Sequence, residues 1–204
     1  MSTSGKVSKR NAEIRDALGN RSLVFIGMMG SGKTAIGRLI ATALGLAFHD
    51  SDREIVAAAN LDIPEIFERH GEAYFRAGEE RVVQRLLRDG PSVISLGGGA
   101  FLSEATRSEI ADHAISIWLR ADLDLLMSRV MRRPNSRPLL KTEDPRATLK
   151  ALLEEREPVY ALADIHVASA RSSKNDTRDA VLKALQEHFG LAHASHRQKQ
   201  GKNS

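Results

Sequence analysis

Residues 27–34 read Gly-Met-Met-Gly-Ser-Gly-Lys-Thr, a G-x-x-x-x-G-K-T loop, and no other stretch restricts the fold so tightly. Its flanks agree with it. Leu23-Val24-Phe25-Ile26 is short and continuously apolar, as a strand buried on both faces should be. Beyond the loop, Ile36, Leu39, Ile40 and Ala43 recur at helical spacing, and Gly45 is placed to end that helix. The glycines permit a tight turn whose successive N–H groups point at phosphate oxygens. The following helix aims its positive dipole end at the same anion. Lys33 is spaced to reach the β- and γ-phosphates, and the Thr34 hydroxyl to ligate Mg²⁺.

Several other classes drop out. With 204 residues, the chain is long enough for one α/β domain with insertions. Cysteine is absent, which removes disulfides, thiolate zinc sites and cysteine nucleophiles, and fits a reducing cytoplasm. No run approaches the ~20 apolar residues of a membrane span, and no apolar leader follows the basic start. The net charge of +4 is unevenly spread. Residues 1–21 hold five Lys/Arg against two Asp/Glu, and residues 171–204 hold seven against three. The remaining 22–170 has 18 against 21, a net of −3, so the body lacks the basic face a nucleic-acid reader needs. The end segments read as basic, solvated extensions: 1–21 with a short helix over 11–18, and a polar, disordered 190–204.

Along the chain, residues 46–50 form a second strand ending in Asp50-Ser51-Asp52, where open α/β sheets bind ligands. On an extended backbone the two acids share a side. They read as Mg²⁺ and proton-handling groups, or one of them as the cap of a helix starting near Arg53. Residues 53–89 read as three helical segments, with Asp62 and Glu65 as a capping box, Pro64 in the first turn and a break at Gly71. On the last segment Arg76, Glu79 and Glu80 are spaced for ion pairs on a solvated face. A strand over 91–96 runs into Gly97-Gly98-Gly99, which permits close approach of a ligand to backbone. That strand lacks the Asp a P-loop protein usually places there for Mg²⁺, leaving Asp50 as the available carboxylate. A helix capped by Ser103, a strand over 114–119 and a helix capped by Asp122 follow. Residues 132–138 break all periodicity with two prolines and three arginines, either a loop that closes over phosphates or an exposed connector. A helix from Pro145 to about Glu157, a strand over 165–167 and a helix over 177–189 complete a predicted five-stranded parallel sheet with helices on both faces. His188, His193 and His196 are loosely spaced and read as solvated.

Six blocks together carry a family resemblance. They are the loop at 27–34, Asp50-Ser51-Asp52, Phe75-Arg76 with Glu79-Glu80, Ser95 to Gly99, Arg137-Pro138-Leu139-Leu140, and Arg156 to Tyr160. In this order they resemble the shikimate kinases over residues 22 to about 189. The resemblance implies a nucleoside-monophosphate-kinase-like fold with strand order 2-3-1-4-5, a substrate-binding insertion at about 51–89 and a lid at about 132–143. It implies phosphorylation of the shikimate 3-hydroxyl by MgATP on the way to aromatic amino acids. Separately, a cytoplasmic monomer is expected. By that pattern Gly30, Ser31, Gly32, Lys33, Thr34 and Ala35 bind ATP, Lys33 acts in catalysis, and Thr34 and Asp50 hold Mg²⁺. Asp52 meets the substrate hydroxyls as a base or as a positioning group. Arg76 and Arg156 hold the carboxylate, Gly97 and Gly98 approach the substrate, and Arg137 serves the transferring phosphoryl group. The chemistry is consistent: forked guanidinium groups suit a carboxylate and an Asp suits hydroxyls. Adenine contacts fall to Arg129, Arg132 or Arg171 without a choice among them. The competing readings are a gluconate or nucleoside monophosphate kinase of the same fold, a GTP-dependent switch, which lacks its N-K-x-D motif, and an ATP-dependent nucleic-acid binder.

Overall fold

The computed structural model describes residues 3–132, 138–140, 142–169 and 173–191. Five parallel strands, β1 (Ser22–Ile26), β2 (Ala47–Asp50), β3 (Ser92–Ser95), β4 (Ala114–Arg120) and β5 (Ile165–Ala168), lie in the order β2-β3-β1-β4-β5. The central β1 is buried at every position, which is why its sequence shows no polar alternation. Leu23 and Phe25 face one side of the sheet while Val24 and Ile26 face the other, and two separate cores follow from that alternation. The first core takes the apolar faces of α3 (Ser51–Ala59), α4 (Ile63–Arg88), α5 (Glu104–His113), α6 (Leu123–Val130) and α7 (Pro145–Tyr160). The second is covered by α1 (Thr3–Leu18), α2 (Lys33–Leu44) and α8 (Lys174–His188).

Several local expectations change. The helix expected over 11–18 runs from Thr3 to Leu18. Ile14 and Leu18 are fully buried in the second core, so this segment is part of the domain's packing as well as a carrier of charge. Three helical segments do occupy the insertion, and Gly71 (φ 79°, ψ 174°) interrupts α4 as its sequence position suggested. The Asp62–Glu65 capping box does not form: Asp62 stands at the N-cap without a side-chain cap bond, and Glu65 pairs with Arg69 instead. Ser103 and Asp122 do cap, accepting from the N–H groups of Thr106 and Leu125. Helix α7 runs past Pro158 to Tyr160. The proline removes one backbone donor close to the helix end, where the buried Tyr160 ring holds the last turn to the core.

Candidate active site

The strand order places the carboxyl ends of β1, β2 and β3 side by side, and the candidate residues gather there. Between β1 and α2 the loop turns through Gly32 (φ 104°), a left-handed conformation that L side chains rarely adopt. Lys33 folds back over the loop, its Nζ donating to the carbonyls of Gly27 (2.7 Å) and Met28 (3.2 Å). Arg129 of α6 braces the loop from outside, with Nη1 donating to Gly30 O (3.2 Å), Ser31 O (3.1 Å) and Ser169 Oγ (2.8 Å). Burial, then the neighbouring Arg132, pulls the Arg129 pKa down. Of the three adenine-side candidates, Arg129 is thus at the loop, and Arg171 lies outside the described residues.

Thr34 Oγ1 donates to Asp50 Oδ2 at 2.9 Å and lies 3.4 Å from Ser95 Oγ. Strand register explains the cluster. Asp50 pairs with Ser95 across β2 and β3, so the carboxylate absent from β3 arrives on the adjoining strand. No group of three or more His, Cys, Asp or Glu side chains suited to a metal occurs among the described residues. One hydroxyl and one carboxylate are hard oxygen donors, and they fit Mg²⁺, which keeps several waters and takes phosphate oxygens as further ligands.

The backbone is not extended across Asp50–Asp52, so the alternation that would put the two acids on one side does not apply. Helix α3 begins at Ser51, which places Asp52 in its first turn. Asp50 occupies the N-cap position without a side-chain cap bond and faces Thr34. Asp52 faces the glycine turn: a Cβ built on Gly97 would fall 2.5 Å from Asp52 Oδ1 and 3.1 Å from Glu79 Oε1. A Cβ on Gly98 would lie 3.3 Å from Arg156 Nη1, and one on Gly99 only 2.6 Å from Arg76 Nη1. Each glycine therefore has one proposed substrate ligand pressed against it, and all three groups converge on one short stretch of backbone. The Gly97 N–H is itself held by the buried Ser51 Oγ at 2.9 Å.

Arg76 is tied to Glu79 Oε2 (2.8 Å) and Glu72 Oε1 (3.1 Å). The solvated face expected for Glu79 is wrong, because this residue is 3 % exposed. Burial pushes its pKa above the ordinary carboxylate range, Arg76 opposes that shift, and the nearby Asp52 and Glu80 charges add to it. A signal for this was present. Phe75, Glu79, Val82, Val83 and Leu86 fall on one helical stripe, so position 79 belongs to the buried face. Glu80 instead accepts from Ser103 Oγ at 2.6 Å. Arg156 is 8 % exposed, and its Nε has no hydrogen-bond partner among the described residues. Arg137 lies outside the described residues. A separate apolar cavity of about 300 Å³ between α3 and α4 is lined by Ile55, Ile66, Phe75 and Val82, with none of the predicted site residues in its walls.

Comparison with known proteins places the chain among the shikimate kinases. The shikimate kinase family model matches residues 29–187. A shikimate kinase from Mesorhizobium japonicum is 53% identical over 180 residues, covering 88% of each chain. A solved shikimate kinase from Acinetobacter baumannii in complex with shikimate superposes with a TM-score of 0.78 at 32% identity, covering 88% of this chain and 99% of that one. A gluconokinase from Sinorhizobium meliloti shares the fold at a TM-score of 0.55 and 18% identity, covering 87% of this chain and 98% of that one.

Proposed function

The chain belongs to the shikimate kinase family and phosphorylates shikimate at the expense of ATP, and we propose that the P-loop, Asp52, Arg76, the Gly97–Gly99 turn and Arg156 perform that transfer at the 3-hydroxyl. One observation supports this reading above the others. Asp52, Arg76 and Arg156 come from three helices yet meet the same three glycines, beside the phosphate loop.

The loop glycines, Ser31, Lys33, Thr34 and Ala35 bind the ATP phosphates. Thr34 and Asp50 would hold Mg²⁺, which supplies charge neutralisation when bound. Arg76 and Arg156 grip the shikimate carboxylate, and Gly97 and Gly98 let the ring approach the backbone. Asp52 accepts the hydrogen bond of the 3-hydroxyl and directs its oxygen at the γ-phosphorus. The new P–O bond forms as the bond to the β–γ bridging oxygen breaks, ADP leaves, and the hydroxyl proton passes to the Asp52 carboxylate. Lys33 neutralises charge on the transferring group, and Arg137 does so from the lid.

We place the enzyme in the cytoplasm as a monomer with no nucleic-acid or membrane partner. The acidic body at 22–170 supports the absence of a nucleic-acid partner. Among the described residues no helix is long and apolar enough to cross a membrane.

The test is ADP release with MgATP and shikimate, with gluconate, AMP and CMP in parallel. ADP formation with shikimate alone is expected. Turnover only with another acceptor would remove the substrate assignment and leave the phosphate loop standing.

A further inference from the structure

Three consecutive glycines bring no side chains to fix their own conformation, so hydrogen bonds must do it. Most of those bonds are local. The Gly97 carbonyl accepts from Ala100 N–H (3.3 Å), and the Gly99 carbonyl from Leu102 N–H (3.0 Å). The middle carbonyl is different: Gly98 O accepts from the Tyr160 hydroxyl at 2.5 Å, across the gap between β3 and α7. We propose that Tyr160 is a positioning residue for the transfer, orienting the Gly98–Gly99 peptide so that its Gly99 N–H faces shikimate. The proposal rests on the reading of this turn as the shikimate seat.

Four observations support it. First, Tyr160 is fully buried, and its ring packs 6.1 Å from that of Trp118, so the hydroxyl is aimed by the core. Second, Tyr160 follows Arg156 by four residues on the same face of α7. The helix that delivers the guanidinium therefore also delivers the hydroxyl. Third, the Gly98–Gly99 peptide is trans, so the Gly98 carbonyl and the Gly99 N–H point in opposite directions from one peptide plane. Fixing the carbonyl to Tyr160 turns the Gly99 N–H away from α7, and a bond accepted at the carbonyl strengthens that N–H as a donor. Fourth, neither the Gly98 nor the Gly99 N–H donates to any described residue, so both remain available to a ligand. Burial pushes the Tyr160 pKa up, against the Arg156 charge and the Arg156 hydrogen bond to the same hydroxyl, so the hydroxyl stays a protonated donor to Gly98 and also touches the guanidinium on its own helix.

Tyr160→Phe removes the hydroxyl and keeps the ring. Steady-state kinetics should show KM for shikimate raised about 5- to 10-fold, the effect of one net hydrogen bond, with kcat and KM for MgATP within about 2-fold of wild type. A wild-type KM for shikimate with only a lowered Tm would overturn the proposal and leave Tyr160 as packing. Wild-type turnover of shikimate is read in the same assay, so a failed substrate assignment shows there and not in the variant. A second measurement does not depend on the folding of Tyr160→Phe. The chain has two tyrosines, and Tyr74 is exposed, so 3-fluorotyrosine incorporated into a Tyr74→Phe background reports on position 160 alone. Its ¹⁹F resonance should shift with shikimate and stay in place with MgATP. An unmoved resonance at saturating shikimate would overturn the proposal.

Discussion

Replacing Glu79 by Gln should weaken shikimate binding without weakening the fold. Glu79 Oε2 accepts from Arg76 Nη1 at 2.8 Å, and the Glu79 side chain is 4 % exposed against 39 % for Arg76. A charge-assisted bond is worth about 1.5–3 kcal/mol and a neutral one about 0.5–1.5. The difference of about 1.2 kcal/mol corresponds to a rise of roughly 8-fold in KM for shikimate if Arg76 loses its aim. Its second anchor, Glu72, is exposed and contributes less. Stability should respond in the opposite direction. The folded-state pKa of Glu79 is raised, so the folded protein binds a proton that the unfolded chain has already released. That contribution to stability is fully present below the unfolded carboxyl pKa and is lost as pH rises through the folded value. The wild type should therefore lose stability with rising pH over this window. The Gln variant should lack that slope and be at least as stable at pH 8. Urea unfolding between pH 5 and 8, with KM measured alongside, tests both halves. A variant with unchanged KM and lower stability at pH 8 would refute the reasoning, because Glu79 would then be a structural ion-pair partner and nothing more.

Three further outcomes are expected. Lys33→Ala should lower kcat by roughly 10²–10⁴ with little change in KM for shikimate, since the lost contact lies on the transferring phosphoryl group; single-turnover chemistry at the wild-type rate would count against it. Arg156→Lys keeps the charge but loses the fork, so KM for shikimate should rise about 10-fold while KM for MgATP holds, as paired substrate titrations would show. Ile14→Ala should cost about 2–4 kcal/mol and lower Tm by about 5–15 °C with kcat preserved, whereas Lys9→Ala, an exposed change on the same helix, should fall within about 0.5 kcal/mol. Equal denaturation midpoints for the two would mean that α1 is not part of the cooperative unit.

The sheet was legible because each strand is either a continuous apolar run or sits between clear helix signals, and because the phosphate loop dictates a strand before it and a helix after it. The proposed ligand groups Thr34, Asp50, Asp52, Arg76 and Arg156 were singled out from ordered blocks, whose meaning depends on chain order more than on local periodicity. What escaped was tertiary. Helix α1 buries Ile14 and Leu18 against α2 and the distant α8, and nothing within residues 1–21 reports that partnership. The Asp62–Glu65 capping box was a sound local pattern that lost to another local pair, Glu65 with Arg69. Glu79 was misread because charge spacing suggested solvent, although the apolar stripe around it suggested burial. The stripe decided, since burying Phe75, Val82, Val83 and Leu86 outweighs the cost of carrying one paired carboxylate inside. The two-residue alternation expected for Asp50 and Asp52 fails because the helix begins one residue after the strand ends, which switches the side-chain period at that point.

The two halves of the site are prepared in different ways. On the proposed ATP side the groups are already satisfied by the protein: Lys33 by the carbonyls of Gly27 and Met28, and Thr34 by Asp50. Binding phosphate there exchanges one hydrogen-bond partner for another, so little ordering entropy is lost and the net gain must come from charge. On the acceptor side the groups are held from behind and left open in front. Glu79 and Glu72 hold Arg76, Ser51 holds the Gly97 N–H, and Tyr160 holds the Gly98 carbonyl, while the Gly98 and Gly99 N–H groups and Arg156 Nε keep unspent donor capacity. Donors fixed in place before the ligand arrives are what discriminate a small polyhydroxy acid, since an analogue lacking the matching oxygen would leave them buried and unpaired. Specificity in this fold should therefore follow the supports behind the acceptor side more closely than the phosphate loop. Substitutions at Ser51, Glu79 and Tyr160 should change the ranking of shikimate against its deoxy analogues, and substitutions in the loop should lower turnover of all of them alike.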